Sequence, residues 1–325
     1  MGRVITVGEM LIDFTATDMD VSVQEAHGFA RNPGGAPANV AVAVARLGGE
    51  ARFVGCVGDD PFGWYLRQTI EGYGVGTEHV RLTRDAATSL AFVARHHGEP
   101  DFFFVRNPGA DALLSPNDVQ QVELDASTVI HFGSNSLAQQ PIRSAIEALV
   151  AKAKAVGAAV SFDVNLRPAF WRDEHEAYEV CLDLLPQVDI LKVNQHELMW
   201  LSGEHDVTQA VAHLSTRTPA VILCTLGSRG AAVGRRGWEL SYVPSFPTTM
   251  VDATGAGDAF IGSVLYRLVA DGLQGLGMGA VQGEQQGLWR DYARFGCAAA
   301  AHNVTVQGAI DAMPTTTDVM RILKR

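Results

Sequence analysis

The sequence lacks the features that define several large classes of protein. Its 325 residues contain no run of the roughly 18–20 apolar residues that a membrane-spanning helix needs. The apolar segment at residues 4–8 is shorter than the core that we would expect of a signal peptide. A formal net charge of −11 disfavours sequence-independent binding to nucleic acids and to anionic membranes. The four cysteines have no C-x-x-C spacing, which disfavours a disulfide framework and a zinc site. We therefore expect a cytoplasmic protein whose partners include neither nucleic acid nor a membrane.

Several local motifs of well-known enzymes are missing as well. The chain has no G-x-x-x-x-G-K-[ST] P-loop, no G-x-G-x-x-G dinucleotide fingerprint, no H-E-x-x-H and no G-x-S-x-G. Apolar residues, in contrast, make up 47% of the chain, which is enough for a packed globular core. The 33 glycines indicate many tight turns or close approaches between backbone and ligand.

Short apolar, β-branched runs alternate with longer stretches rich in Ala and Leu over most of the chain. This alternation predicts an α/β fold with a doubly wound, mostly parallel central sheet, helices on both faces, and one core spanning residues 1–325. Nearly continuous apolar runs are typical of strands that are covered on both faces. The predicted strands are 4–7, 52–57, 129–132, 159–164, 190–193 and 220–224, and the predicted helices are 36–47, 61–73, 141–155, 174–184 and 209–216.

Two stretches, at about 9–32 and 87–107, interrupt the alternation. The second contains two short strands, 89–95 and 101–106, around a turn-like segment, which is the signature of a hairpin. We expect both stretches to form a small β-sheet that serves as a lid over a binding site, although an ordinary edge hairpin has the same signature. Residues 271–287 contain six glycines, which predicts a surface loop rather than a helix.

The strongest local signal is the string VDATGAGDAF at 251–260. Gly255, Ala256 and Gly257 are small residues at the expected start of a helix, where free backbone N–H groups and the helix dipole favour an anion. Asp258 falls in the first turn, and the same field favours its ionised form. An anion cradle beside an ionised carboxylate suits phosphoryl transfer to an alcohol, with Asp258 accepting the hydroxyl proton. The alternative is a glycine-rich turn followed by an ordinary first-turn Asp.

Other polar residues stand out against apolar surroundings. Asp13 and Asn39 lie within apolar runs and must find hydrogen-bond partners if they are buried, although Asn39 alone could be a satisfied core amide. Asn194 and Glu197 share one helix face, and their oxygen atoms are of the kind that Mg²⁺ binds. The same pair also fits a capping box at the start of a helix.

Five motifs in order along residues 4–312 resemble those of the ribokinase-like sugar kinases, and most of all the fructokinases. They are GEMLIDF at 8–14, NPGGAPAN at 32–39, NQHE at 194–197, TLGSRG at 225–230 and DATGAGD at 252–258. The resemblance implies a ribokinase-like fold, an ATP-dependent sugar kinase, and Asp258 with the 255–257 backbone as the catalytic group. A non-catalytic sugar or nucleotide sensor of the same fold would need a damaged motif set, and this set is intact.

The resemblance also implies roles for further residues. Sugar contacts are implied for Asp13, Gly34, Gly35, Asn39, Arg106, Asn165 and Arg167. Nucleotide contacts are implied for Lys192, Asn194, Thr225, Gly227, Gly230 and Asn303. Asn194 and Glu197 are expected to position Mg²⁺ mostly through water, and a monovalent cation such as K⁺ is expected near Asp252, with the carbonyls of Thr254, Asn303, Val306 and Gly308.

Segments 88–93, 103–111 and 163–168 resemble fructokinases more than other branches of the family. The family's 2-keto-3-deoxygluconate kinases typically carry a different sequence where this chain has RNPGAD at 106–111. We therefore predict that fructose is converted into fructose 6-phosphate, with 2-keto-3-deoxygluconate kinase and ribokinase or nucleoside kinase as alternatives. The lid would expose edge strands, which favours a homodimer formed through it.

Overall fold

The computed structural model describes residues 2–96, 99–273, 276 and 282–324. Two β-sheets organise these residues: a nine-stranded sheet of order β13-β12-β11-β10-β9-β8-β1-β4-β5 and a four-stranded sheet of order β3-β2-β6-β7. The strands are β1 Arg3–Val7, β2 Leu11–Ala16, β3 Phe29–Gly34, β4 Glu50–Gly58, β5 Gly76–Thr83, β6 Leu90–His96, β7 Glu99–Val105, β8 Thr128–Gly133, β9 Ala159–Asp163, β10 Ile190–Asn194, β11 Val221–Thr225, β12 Ala231–Gly234 and β13 Ser241–Val243.

The large sheet is parallel from β5 to β11, and β12 and β13 join it antiparallel. Its helices are α1 Ala36–Arg46, α2 Pro61–Gly72, α3 Ile142–Val156, α4 Glu174–Leu184, α5 Gln195–Ser202, α6 Val207–Leu214, α7 Ala256–Ala270, α8 Gln282–Asn303 and α9 Thr316–Leu323. One apolar core joins one face of the sheet to α3, α4 and α6, and a second joins the other face to α1, α7 and α8. The predicted doubly wound α/β fold is therefore confirmed.

The small sheet is built from the two stretches that interrupt the alternation. Strands β2 and β3 are antiparallel, β6 and β7 form the predicted hairpin, and β2 pairs in parallel with β6. A row of aromatic rings holds one face of this sheet against the body of the protein: Phe14 stacks on Phe92 with centroids 5.1 Å apart and meets Phe62 of α2 edge-on at 5.8 Å. The hairpin is thus part of a separate sheet and not an edge of the large one.

Each predicted strand and helix has an observed counterpart whose ends lie within two residues of the predicted ends. The prediction of a surface loop at 271–287, however, is wrong at its C-terminal end. Residues 282–287 do not belong to a loop, because they form the first turns of α8. The helix continues to Trp289 and Tyr292, which are fully buried, and this burial offsets the helix cost of about 1 kcal/mol for each glycine. Residues 274–275 and 277–281 of the predicted loop lie outside the described residues. Among the described residues, no helix has both the length and the hydropathy required to cross a bilayer.

Helices α1 and α7 cross at very short range, and this crossing places the start of α7. Residues 37–44 of α1 are all buried, in agreement with its apolar sequence. A Cβ atom added to Gly262 of α7 would lie 2.7 Å from Cβ of Ala43 and 3.1 Å from the carbonyl oxygen of Val40. Only glycine fits at this crossing without moving one helix.

We expect Gly262→Val to lower the free energy of unfolding by about 1–3 kcal/mol, since the added atoms overpack the crossing. We expect Gly287→Ala to raise it by roughly 0.5–1 kcal/mol, because this glycine lies in α8 with no neighbour within 4 Å of its would-be Cβ. Urea unfolding followed by circular dichroism measures both. Equal effects of the two substitutions would contradict the close crossing.

Candidate active site

The predicted functional residues gather at the carboxyl edge of the large sheet. Asp163 ends β9, Asn194 ends β10 and Thr225 ends β11, and Asp13 comes from the neighbouring small sheet. Ligands of open parallel sheets bind at this edge, because the loops that follow the strands converge there. The site therefore lies between the two sheets.

The signature loop leads into α7 as the sequence predicts. Gly255 is the N-cap residue with φ 79°, in the left-handed region that favours glycine, and no described side chain caps this helix. A Cβ atom on Gly255 would lie 3.0 Å from Cβ of Ala309, so the turn also packs closely against the segment after α8. The N–H group of Ala256 donates to the carbonyl oxygen of Ala253 at 3.2 Å. The other uncapped N–H groups of the first turn are available to an anion.

Asp258 lies in that first turn and is 7% exposed. Nδ2 of Asn39, from α1, donates a 2.7 Å hydrogen bond to its Oδ2. Burial raises the pKa of Asp258, while the Asn39 hydrogen bond and the positive charges of Lys192 and Arg167 oppose the rise. A carboxylate with a raised pKa is a better proton acceptor than an exposed one. Oδ1 of Asn39 is buried and accepts no hydrogen bond from the described residues, so it is available to a ligand hydroxyl.

Asp13 is close enough to Asp258 for the two charges to interact. Burial raises the pKa of Asp13 to about 7, the charge of Asp258 adds to the rise, and Arg167 opposes it. Gly34 has no room for a side chain because a Cβ atom there would collide with the Asp13 carboxylate. Gly35 has φ 105°, and its Cβ atom would lie 2.5 Å from the carbonyl oxygen of Glu9. The positive φ and the backbone contact make glycine necessary at position 35, whereas a side chain at position 34 would displace the Asp13 carboxylate.

A buried ion pair lies beneath the signature loop. Nζ of Lys192 donates to Oδ2 of Asp163 over 2.9 Å, and both side chains are almost fully buried. A Cβ atom on Gly257 would lie 3.0 Å from this ammonium nitrogen, so Lys192 touches the loop. Burial alone would lower the pKa of Lys192, but the charges of Asp163, Glu197 and Asp258 outweigh it and raise the pKa. The site therefore holds a permanent positive charge next to the α7 N-terminus.

Asn194 and Glu197 form the capping box that their spacing predicts as an alternative to a magnesium site. Oδ1 of Asn194 accepts from the Glu197 N–H at 2.9 Å, and Oε2 of Glu197 accepts from the Asn194 N–H at 2.8 Å. Oε1 of Glu197 also accepts from the Leu166 N–H at 3.0 Å. The pair thus fixes α5 and the segment after β9 at the edge of the site.

The two predicted sugar contacts of segment 165–167 differ in backbone conformation and in exposure. Asn165 has φ 34°, an uncommon conformation for a residue with a side chain. Arg167 is exposed, and its guanidinium donates to the carbonyl oxygens of Asn165 and Leu166. Its charge nevertheless lowers the pKa values of both Asp13 and Asp258, so it lies at the mouth of the site.

The loop after β11 contains two glycines whose surroundings differ. Gly227 has φ 61°, and a Cβ atom there would meet nothing within 4 Å, so space is open beside it for a nucleotide. Gly230 has φ 101°, and its Cβ atom would collide with the carbonyl oxygen of Val243. Packing against β13 therefore explains why position 230 is glycine. Thr225, at the end of β11, is half-buried at the start of the loop.

Asp252 ties the signature loop to the segment that follows α8. Its Oδ1 accepts from the backbone N–H and hydroxyl of Thr254 at 3.0 and 2.7 Å, and its Oδ2 accepts from the Gly308 N–H at 2.9 Å. The carbonyl oxygen of Asn303 accepts from the Val306 N–H at 3.1 Å. These residues of the expected cation site are therefore close together. The side chain of Asn303 is fully buried, and its amide atoms have no partner among the described residues, so its contact with a nucleotide stays a prediction.

Arg106 belongs to a buried polar cluster whose other members sequence reasoning missed. Its Nη2 pairs with Asp111, and the hydroxyl of Ser89 donates to the same carboxylate. Nε and Nη1 of Arg106 are buried and have no partner among the described residues, while its guanidinium carbon lies 4.7 Å from the Phe170 ring centroid. Two donors are therefore available to a ligand.

Glu9 is the second missed residue. It lies two residues after the end of β1, is 3% exposed, and accepts a hydrogen bond from the hydroxyl of Ser136. Burial raises the pKa of Glu9, with the Ser136 hydrogen bond and the charge of Arg106 opposing the rise. The sequence did contain a signal for Glu9: a carboxylate just beyond an apolar strand lies at the carboxyl edge of a parallel sheet, where ligands bind.

Comparison with known proteins agrees with this geometry. The family model described as pfkB family carbohydrate kinase matches residues 1–316. The chain is 41% identical to Fructokinase-1 of Zea mays, with 99% of this chain and 98% of the maize protein covered. It is 40% identical to Probable fructokinase-4 of Arabidopsis thaliana, with 99% and 96% covered.

Solved structures give the same result. A fructokinase from Vibrio cholerae O395, with fructose, ADP and calcium ion bound, has a TM-score of 0.87 and 32% identity, with 99% of each chain covered. Aminoimidazole riboside kinase from Salmonella enterica, with aminoimidazole riboside and an ATP analog, has a TM-score of 0.85 and 30% identity, with 99% of this chain and all of that chain covered. The resemblance that the five motifs predict is confirmed along nearly the whole chain, and the protein belongs to the pfkB family of carbohydrate kinases.

Proposed function

We propose that the protein transfers the γ-phosphoryl group of ATP to a terminal hydroxyl of fructose and forms fructose 6-phosphate. The observation that carries the proposal is the buried Asp258 carboxylate at the uncapped start of α7, held by Asn39. Full-length similarity to proteins named fructokinases supports fructose as the sugar. The four buried free cysteines support a reducing compartment, the cytoplasm.

The chemistry follows from the charges around Asp258. The hydroxyl oxygen of the sugar attacks the γ-phosphorus as the bond to the β,γ-bridging oxygen of ATP breaks, and Asp258 accepts the hydroxyl proton. Charge that develops on the transferring group faces the N–H groups of Gly255 and Gly257 and the ammonium of Lys192, whereas the N–H of Ala256 donates to the carbonyl oxygen of Ala253 at 3.2 Å. These donors are fixed before the reaction, so stabilising the charge costs no reorganisation.

The sugar is held between the two sheets in this proposal. Asp13, Oδ1 of Asn39 and the unpartnered donors of Arg106 supply acceptors and donors for sugar hydroxyls. Gly34 and Gly35 leave the room that side chains would fill. The small sheet then serves as the lid, and its closure would keep water from the γ-phosphoryl group.

The donors at the site also fit the ions that we expect. Oδ1 of Asp163 is buried without a partner among the described residues, and the charges of Glu197 and Asp258 both raise the pKa of Asp163. Such oxygen donors suit a Mg²⁺ that keeps most of its water, with Asn194 and Glu197 as outer partners. When bound with ATP, Mg²⁺ neutralises phosphate charge. The Asp252 carboxylate suits a monovalent cation, and a related Vibrio cholerae fructokinase variant has potassium ion bound.

Homodimerisation through the small sheet is also part of the proposal. Strand β7 is at the edge of that sheet, and Phe102, Phe103 and Val105 on it are each about half exposed. Unpaired strand edges and exposed aromatic rings favour association with a second copy. Light scattering on the purified protein tests this, and a monomer at all concentrations would exclude it.

Asp258→Asn is expected to lower kcat by roughly 10²–10⁴-fold, because an amide cannot accept the hydroxyl proton. Fructose affinity should change little, since Asn has the same shape. A coupled assay of ADP release measures kcat, and calorimetry measures sugar binding. Full turnover in this variant would remove Asp258 from its catalytic role.

A panel of acceptors tests the sugar separately from the chemistry. With ATP and Mg²⁺, we expect the highest kcat/KM for fructose, ahead of ribose, 2-keto-3-deoxygluconate and aminoimidazole riboside. The last compound is included because of the similarity to aminoimidazole riboside kinase. A higher kcat/KM for any of the others would reject fructose while leaving the kinase reaction intact.

The pH dependence of kcat/KM should report the buried carboxyl groups. Activity is expected to rise with pH as Asp13 and Asp258 lose protons, because only an ionised Asp258 is a base. Arg167 lowers both pKa values, so Arg167→Gln should raise them and move the acidic limb to higher pH by up to about 1 unit. Arg172→Gln is the control, since Arg172 is exposed and pairs with Asp173 at 3.1 Å. An unmoved limb, or the same shift in both variants, would contradict the assigned charge.

A further inference from the structure

A second concave surface lies at the opposite edge of the large sheet from the active site. It has a volume of about 530 Å³, and its walls come from the turns before β10 and β11, the turn after β12, and one residue of α8. The residues used below are Thr216, Arg217, Arg235, Arg236 and Trp238. We call this surface the arginine groove. Strand β11 runs from it to Thr225 at the active site, a distance of roughly 15 Å at 3.3 Å per residue.

The groove is positively charged in a protein whose formal net charge is −11. Three arginines line it, and no Asp or Glu does. No carboxylate of the described chain forms an ion pair with Arg217, Arg235 or Arg236, although other surface arginines have such partners. The charge is therefore not neutralised within the described protein.

Two acidic residues that are close in sequence to the groove residues do not neutralise the positive charge of the groove. Asp189, at the start of β10, pairs with Lys154 at 3.1 Å and accepts from the Val160 N–H at 2.9 Å. Glu239 follows Trp238 in the chain but does not line the groove. Like charges that converge in a concave surface focus the field and raise the local concentration of anions.

The arginines are presented in two different ways. Nε of Arg235 donates to the carbonyl oxygen of Pro219 at 3.1 Å, and its guanidinium carbon lies 5.8 Å from the Trp238 ring centroid, so this side chain is held in place. Arg217 and Arg236 are exposed, with their donors free to turn toward a ligand. A guanidinium group fits two oxygens of a phosphate at once, which an isolated ammonium does not.

We propose that the arginine groove binds the phosphate group of a small phosphomonoester through its arginines, with Trp238 as an apolar wall. The hydroxyl of Thr216 donates to the carbonyl oxygen of His213 at 2.7 Å and does not serve as a further donor. This site is separate from the α7 N-terminus and does not depend on which sugar the enzyme phosphorylates. Its expected occupants share a dianionic phosphate, whether free or carried by an organic group.

A second groove on the surface provides a matched control. It has a volume of about 420 Å³ and also contains two arginines, Arg290 and Arg294, but Asp291 lies between them in its lining. Arg290→Gln with Arg294→Gln removes the same charge as Arg217→Gln with Arg236→Gln. The two double variants therefore separate binding in the arginine groove from a general change in net charge.

Calorimetric titration of the full-length protein with inorganic phosphate and with fructose 6-phosphate tests the proposal. We expect one component of phosphate binding to weaken by roughly 10–100-fold in the Arg217/Arg236 variant and to stay unchanged in the Arg290/Arg294 variant, since hydrogen bonds to charged groups contribute about 1.5–3 kcal/mol. Equal affinities for the two probes would mean that the phosphate alone is recognised. Tighter fructose 6-phosphate binding would mean that the groove also contacts the organic part.

Unchanged melting temperatures and kcat for both double variants would establish that the proteins are folded and their active sites intact. Identical titrations of the wild type and the Arg217/Arg236 variant would overturn the proposal. Equal weakening in both double variants would also overturn it, because the effect would then follow net charge rather than this groove.

Discussion

The hydrogen bond between Asn39 and Asp258 is the interaction on which the active site depends. It joins the first turns of α1 and α7 in the buried space between the two sheets, where an unpaired carboxylate would be costly. The bond holds one oxygen of Asp258 in place while burial raises its pKa, which is the combination that a proton acceptor needs. The close crossing at Gly262 keeps the two helices at the separation that this bond requires.

The remaining charges of the site balance one another around that bond. Two carboxyl groups, Asp13 and Asp258, have raised pKa values because both are buried, and Arg167 limits the rise from the open side. The charge of Lys192, which Asp163 holds against the signature loop, also limits the rise in the pKa of Asp258. A site that must bring an anionic nucleotide close to two acidic side chains needs such positive charges, since like charges repel strongly at low dielectric.

Sequence reasoning succeeded where local pattern determines structure. The strand ends, the signature loop and the glycine pair at 34–35 were all predictable, because apolar periodicity and small residues act over a few positions. It failed where the outcome depends on distant neighbours. The polar cluster of Glu9, Arg106 and Asp111 joins different parts of the chain.

Two further features needed the structure for the same reason. The start of α8 at Gln282 was missed because the glycines of this stretch disfavour a helix. The burial of Trp289, which stabilises the helix, is visible only in the structure. The arginine groove is formed by residues from three separate turns, so no local sequence pattern predicts it.

The two partners of the central hydrogen bond are separated by 219 positions in the chain. A ribosome therefore releases Asn39 long before the residue that it must hold, and no shorter contiguous fragment contains both. A partly synthesised chain, or one cut by a protease anywhere between these helices and then dispersed, has no assembled base. The base that we propose therefore exists only when both helices, from opposite ends of the chain, are in place.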